Sequence, residues 1–313
     1  MAQPGSSSQP LRMGFSSISP VLAAAWKKSF FTDNDVHVYF EQVESPAQQF
    51  RDFAAGQYDV LQTSWDNVVN YRCNASNELG RPLYVMADFA LDLGMGLSIV
   101  ASPEITSLEG IRGGEVVVDA KDSGSAYVIY SILEKAGLRA DSDYTVASEA
   151  DAAERYRRMN DGYTSATLLS NGLEALALDQ GMHRLADESA LGMPYLGNVV
   201  AWNGDWYNEN REVAARFRAG YDAALAWVLD PVNHDEAVDL VANVRGLPKP
   251  DAKLVLDAGL GPWGVARDPD ITDKAARAVI GLRQYYNGFD ADPAVDPYGD
   301  LAPFFVNYGP DAT

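Results

Sequence analysis

Two periods alternate along this chain: short apolar runs, and longer stretches with an apolar residue at every third or fourth position. The first run, Leu11 to Phe15 (LRMGF), reads as a strand. A loop from Ser16 to Ser19 then leads into Pro20, which suits a first helical turn because its missing N–H would have no intrahelical partner there. The helix carries Val21, Leu22, Ala25, Trp26 and Phe30 as an apolar stripe and is expected to stop near Asp33 and Asn34. Val36 to Val43 is the next strand. Ser45-Pro46-Ala47-Gln48 follows as a capping box with proline at the first helical position, opening a helix over 46 to 55 that Gly56 closes. Tyr58 to Gln62 is a further strand, turning through Thr63, Ser64, Trp65 and Asp66 into a helix that bears Val68, Val69 and Tyr71. Alternation at this spacing predicts parallel βαβ units. Such sheets bind ligands beyond the carboxyl ends of their strands, where Ser16 to Ser19, Ser45 and Ser64 to Asp66 all fall.

From Pro82 to Ala101 the pattern becomes one extended run with Gly94 and Gly96 in its middle, as expected of a segment crossing between two sheets. A short helix and turn over 105 to 114 precede the most informative stretch, Val116 to Leu138 (VVVDAKDSGSAYVIYSILEKAGL). It reads as a buried strand, a loop from Asp119 to Ser125, and an amphipathic helix closed by Gly137. The loop sets Ser123, Gly124 and Ser125 at a helix start, where unpaired backbone N–H groups and two hydroxyls converge. A helix over 150 to 160 follows, with Glu154 and Arg158 spaced to pair at i,i+4. Gly162 to Leu169 is then a strand ending in Ser170-Asn171-Gly172. Pro194 to Trp202 is a second crossing, and the chain beyond Trp206 is mainly helical, with helices over 211 to 229 and near 234 to 243, 250 to 257 and 271 to 286. The proline-rich tail is expected to wrap a surface. Phe53 to Trp65 and Arg158 to Asn171 share one plan, a helix end, a glycine turn, a short strand and a polar loop, which predicts two halves of similar construction.

Composition narrows the function. The 313 residues include 44 Asp and Glu against 24 Lys and Arg, a net charge of -20, which repels phosphate backbones and anionic headgroups and argues against nucleic-acid or membrane-surface partners. A single cysteine, Cys73, precludes an internal disulfide and reads as a small packing residue after a helix carrying Val68 and Val69. The three histidines, His37, His183 and His234, lie far apart without metal-ligand spacing, so no metal or cofactor is expected. No stretch approaches the roughly 20 apolar residues that span a bilayer. Residues 1 to 10 read as a polar, flexible leader without the basic and apolar regions of a secretory signal, which leaves localisation open between the cytoplasm and, if a signal was removed, the periplasm or exterior.

On the segments AAGQYDV, ITSLEGIRGGEVVVDAKDSGSAYVIYSILEKAGL, DGYTSATLLS and RFRAGYDAALAWVLDPVN, the chain resembles the type II periplasmic-binding-protein superfamily. Within it, the likeness is to the solute-binding proteins of ABC transporters for sulfonates, nitrate and thiamine precursors. The resemblance implies an α/β fold of two lobes, each a mainly parallel sheet flanked by helices, joined by two crossing strands. Lobe one would comprise 11–92 and 199–313, and lobe two 93–198.

It also implies a solute cleft lined by strand ends and crossings: Ser17, Ser19, Ser64, Trp65 and Asp66 from lobe one, Ser123, Gly124, Ser125 and Tyr127 from lobe two, and Phe89, Asp92, Tyr195 and Asn198 from the crossings. Each has a structural alternative. The serines serve equally as helix caps, Trp65 packs as readily as it stacks on a flat ligand, and Asp66 suits a helix start. No arginine occupies these loops, so the expected ligand is neutral or aromatic with at most one carboxylate. The first functional reading is a solute-binding component delivering to an ABC-type permease. The second is a cytosolic enzyme on the same scaffold, a decarboxylase, desulfinase or related lyase or hydrolase, with Asp66, Asp88 or Asp92 as its acid or base. The cysteine that marks the desulfinase near the first strand is replaced here by Ser16, Ser17 and Ser19.

Overall fold

A computed structural model describes residues 10–94 and 96–306. Its framework is two five-stranded sheets. The first contains β1 (Leu11–Phe15), β2 (Val38–Gln42), β3 (Val60–Ser64), β4 (Val85–Ala90) and β10 (Asn198–Asn203), in the order β2-β1-β3-β10-β4. The second contains β5 (Ser98–Ala101), β6 (Glu115–Val118), β7 (Thr145–Ser148), β8 (Ala166–Leu169) and β9 (His183–Asp187), in the order β7-β6-β8-β5-β9. Helices α1 (Pro20–Lys27), α2 (Pro46–Ala54) and α3 (Trp65–Cys73) connect strands of the first sheet, and α4 (Gly124–Lys135), α5 (Ala152–Asn160) and α6 (Leu173–Asp179) those of the second. The chain then closes with α7 (Gly204–Glu209), α8 (Arg211–Leu229), α9 (His234–Arg245), α10 (Lys249–Gly259) and α11 (Asp273–Tyr285).

The two orders correspond position by position: β1, β2, β3 and β4 stand where β6, β7, β8 and β9 stand, and β10 matches β5. The sequence repeat is the trace of this symmetry. Gly56 and Gly162 take left-handed φ values of 75° and 77° and donate to the carbonyls of Phe53 and Met159 at 3.0 Å, ending α2 and α5 alike before the third strand of each sheet. The corresponding strands β10 and β5 both run antiparallel to their two neighbours, while the remaining strands of each sheet share one direction. A chain leaving one sheet at its carboxyl edge reaches the other sheet at that same edge and must run back through it, which explains the reversal. Segments 91–97 and 188–197 make the two passages.

Several expectations change in detail. The first helix ends at Lys27, since Ser29 adopts φ 67° and turns the chain before a short 3-10 turn at Thr32–Asn34. The run over 82–101 is two strands, interrupted where Gly94 and Gly96 take φ values of 135° and 67°. Glu154 pairs with Arg157 at 2.7 Å, while Arg158 reaches Glu115 on β6 at 3.1 Å, so the i,i+4 pair does not form. Three elements had no sequence signal: β7, α6 and β9. All are short, and the edge strand β9 has no buried residue to produce an apolar run. The tail does more than wrap a surface. Phe304 and Phe305 are buried, and Phe305 stacks on Trp65 with centroids 4.8 Å apart. Cys73 is fully enclosed in this core and burial pushes its thiol up to about 12, consistent with a packing role. No helix among the described residues is long and apolar enough to cross a membrane. Residues 1–9 of the expected leader lie outside the described residues.

Candidate functional site

The carboxyl ends of both sheets face each other, and serine caps open four helices there, α2 through Ser45 and three others. Ser19 caps α1 by accepting from the Leu22 N–H at 3.1 Å, Ser64 caps α3 through Asn67 N–H at 3.1 Å, and Ser123 caps α4 through Ala126 N–H at 3.1 Å. Gln62 braces the first of these loops: its Oε1 accepts from the Ser19 N–H at 3.0 Å and its Nε2 donates to the Ser17 carbonyl. In the α4 loop, the hydroxyls of Ser123 and Ser125 lie 3.0 Å apart and share Asp119 Oδ1, at 2.5 and 2.6 Å. The cradle is therefore organised around the carboxylate of Asp119, the first residue of the loop.

The crossings are tied together by Asp92. Its carboxylate accepts from the Asn198 N–H at 3.0 Å, from Asn198 Nδ2 at 2.9 Å and from the Gly94 N–H at 3.3 Å, joining the first passage to the second. The Trp65 N–H donates to the Gly197 carbonyl at 2.9 Å, so the start of α3 is fixed to the same junction. Tyr195 is buried beside it. Burial, with the charges of Asp66, Asp119 and Asp92 around it, raises its phenol well above the usual value against the opposing effect of Arg283.

At one end the facing loops touch. Asp66 and Arg283 form a buried two-point ion pair, Nε to Oδ1 at 2.8 Å and Nη2 to Oδ2 at 2.7 Å, with each side chain 3% exposed. Burial alone would lower the Arg283 pKa, but Asp66 outweighs it and holds the guanidinium charged. Arg283 also donates to Asn70 and to the carbonyls of Gly288 and Asp122, the last on the α4 loop. Gly124 meets Asp66 so closely that a Cβ there would lie 2.6 Å from the Asp66 Cβ. Tyr127 stacks on Tyr286, the residue that follows α11, at 5.4 Å, and burial raises its phenol to about 12.

The other end keeps a cavity of about 30 Å³, lined by Ser19, Asp92, Gly96, Glu174 and Arg245 among others. That holds one or two waters and is far below the roughly 300 Å³ of a small-molecule pocket. Arg245 spans it, donating to the Asn171 carbonyl at 2.6 Å and the Ile18 carbonyl at 3.0 Å, one from each sheet's loops. Burial lowers its pKa to about 10. Glu174 is buried, caps the Gly172 N–H at 3.0 Å, and has its carboxyl pushed up by burial.

Of the thirteen residues named from sequence, Ser19 and Asp92 line this cavity. Ser17 precedes Ser19 on its loop and Asn198 binds Asp92, while Ser64, Asp66, Ser123, Gly124, Ser125 and Tyr127 belong to the touching end and Tyr195 is buried among the charges of Asp66, Asp119 and Asp92. Two are placed elsewhere. Trp65 is fully buried, its ring between Phe304 and Phe305 and its Nε1 donating to the Ala276 carbonyl at 3.1 Å. Phe89 is equally enclosed, against Tyr221 at 4.7 Å, because alternate residues of a strand face opposite sides and this one faces the α8 core. The arginines were missed because α9 and α11 carry them to the cleft from 74 residues or more beyond the loops they bind, and no local spacing announces that. Among the described residues there is no group of three His, Cys, Asp or Glu side chains arranged to hold a metal.

No protein-family model matches the chain, and no curated protein matches it in sequence. Solved structures do match in fold. The ligand-binding component of an ABC-type import system from Staphylococcus aureus, solved with zinc bound, aligns over 95% of this chain and 98% of its own at TM-score 0.75 and 13% identity. The periplasmic nitrate-binding protein of Synechocystis aligns over 91% and 83% at 0.73 and 11% identity. The alkanesulfonate-binding protein of Xanthomonas axonopodis pv. citri, bound to MOPS, aligns over 89% and 93% at 0.70 and 14% identity. With its two matching five-stranded sheets and double crossing, this chain has the fold of the periplasmic binding proteins.

Proposed function

We propose that the protein captures a small organic solute in the cleft between its lobes and delivers it to an ABC-type permease. Lobe one would comprise 11–92 and 199–313, lobe two 93–198, with the passages at 91–97 and 188–197 absorbing the hinge motion. The observation that carries the reading is the cavity spanned by Arg245, where loops of both sheets and the first crossing converge on buried polar groups. The fold likeness supports it, since structures with this fold include binding components of import systems. At about 30 Å³ the cavity admits an organic solute only when the lobes part, so capture requires opening and reclosure.

The carboxylates available to an enzyme have structural tasks that favour binding over chemistry. Asp66 holds Arg283, Asp88 accepts from Trp202 Nε1 at 2.9 Å, and Asp92 ties the crossings. Arg245 adds one cation to a site also lined by Asp92 and Glu174, which suits a solute with a single carboxylate. Ser17, Ser19, Ser123, Ser125, Tyr195 and Asn198 would supply its remaining contacts.

Thermal-shift and calorimetric titration against a panel of small carboxylates, sulfonates and neutral aromatics tests the proposal. A solute of this class should stabilise the protein saturably and reduce its radius of gyration in solution scattering, and Ser125→Trp should abolish both while the fold survives. Saturable binding that Ser125→Trp leaves unchanged would remove the cradle from the site.

A further inference from the structure

A second cavity, of about 270 Å³, lies on the opposite side of the first sheet from the cleft. Leu11 opens β1 there, Val36 and His37 precede β2, and Asp59 precedes β3. Because β10 runs in reverse, α7 and the start of α8 arrive at the same place. Two arginines line it in unlike states. Arg12 is spent: its Nη2 pairs with Asp59 Oδ1 at 3.0 Å, and its N–H donates to Asp59 Oδ2 at 2.9 Å. Arg216, on α8, lines the cavity and meets no carboxylate at ion-pair distance among the described residues. In a chain of net charge -20, an arginine beside a cavity without an internal carboxylate keeps its guanidinium for an anionic group from outside.

Trp206 supplies a flat wall whose position is set from the core, because it stacks on the buried Trp202 with centroids 5.2 Å apart and planes 5° from parallel. Val213 adds apolar surface next to Arg216. We propose that this cavity is a second binding site, separate from the cleft and independent of the solute-capture reading, for a small aromatic monocarboxylate. Arg216 takes the carboxylate and Trp206 faces the ring. The acids Asp35 and Asp59 on the same walls disfavour a second negative charge, and the volume accommodates one ring.

Benzoate is the probe, with benzyl alcohol as its uncharged counterpart, in saturation-transfer NMR titrations of the full chain. Benzoate should bind saturably and outcompete benzyl alcohol at least tenfold. Arg216→Gln should erase that preference, and Val213→Trp, which fills the cavity, should abolish binding of both. Circular dichroism checks that each variant is folded, and Ser125→Trp, which alters only the cleft, should leave benzoate binding intact. Absence of saturable benzoate binding, or a preference for benzoate that persists in Arg216→Gln, would overturn the proposal. So would benzoate binding that appears only after residues 1–9 are deleted, which would assign the cavity to the chain's own beginning.

Discussion

The two ends of the cleft are both bridged by an arginine from a C-terminal helix, yet the bridges differ in kind. Arg283 is held on its own side by the carboxylate of Asp66, in a pair with 3% exposure on each side chain, and reaches across only to the Asp122 carbonyl at 3.4 Å. Arg245 meets two carbonyls, one from each facing loop, beside a cavity that water can occupy. A charge paired with a charge in the interior is costly to break, because whichever partner remains is left uncompensated. A cation resting on neutral carbonyls can exchange them for an anionic group of a solute with little loss. The first arrangement suits a fixed contact, and the second, under the proposed solute capture, a contact that would be remade on each binding event.

The sharpest way to break this contrast is to remove half of the fixed pair. Asp66→Asn or Arg283→Met should each cost about 3–5 kcal/mol in urea denaturation. The double variant should lose less than the sum, and a loss below about 1 kcal/mol would show that the pair is solvated after all. Second comes contact between the lobes. Gly124→Val places a side chain where Asp66 already sits, so scattering should report a larger radius of gyration with an unchanged circular dichroism spectrum. An unaltered radius would show that the two loops can slide past one another.

Arg245→Ala should cost less than the sum of its two charge-assisted hydrogen bonds, each about 1.5–3 kcal/mol, because water in the adjoining cavity can satisfy the freed carbonyls, and it should weaken binding of a carboxylate solute more than that of a neutral one. Equal weakening of both would assign Arg245 to scaffolding alone. Glu188 gives a pH dependence in place of a fixed loss: its carboxyl packs against Gly94 of the first passage and is raised to about 8 by burial first, with Asp187 and Glu174 adding to it. The native state keeps a proton that the unfolded chain releases from about pH 4.5 upward, so stability should fall as pH rises from about 4.5 to 8. Glu188→Gln should flatten that slope in denaturation midpoints measured across the range, and an unchanged slope would place its origin elsewhere.

Much of the scaffold was legible because the periods that build it are local. Ser45 caps α2 with Pro46 at its first position, although the Gln48 side chain turns to Asp52 and Arg51 and leaves the capping box half made; Ser123 caps α4, and the glycines at 56 and 162 end their helices in left-handed turns. Elements were lost where burial was too slight to leave a pattern, as in β7 and β9. The cleft was harder to read. Serine loops at strand ends are marked by sequence, but whether Trp65 faces a ligand or the core depends on Phe304 and Phe305, some 240 residues away. No arginine occupies those loops, and Arg245 and Arg283 reach them from α9 and α11 only through long-range packing, which local spacing does not announce.

The reversed strand β10 has a consequence for how the chain is made. It lies between β3 and β4, so the first sheet stays split until residue 203 has been synthesised, although β1 to β4 are complete by residue 90. The second sheet draws only on residues 98–187 and can assemble as soon as that span leaves the ribosome. The amino-terminal half, translated first, therefore finishes last. Until then it exposes the flanks of β3 and β4, unpaired edges open to association with other nascent chains.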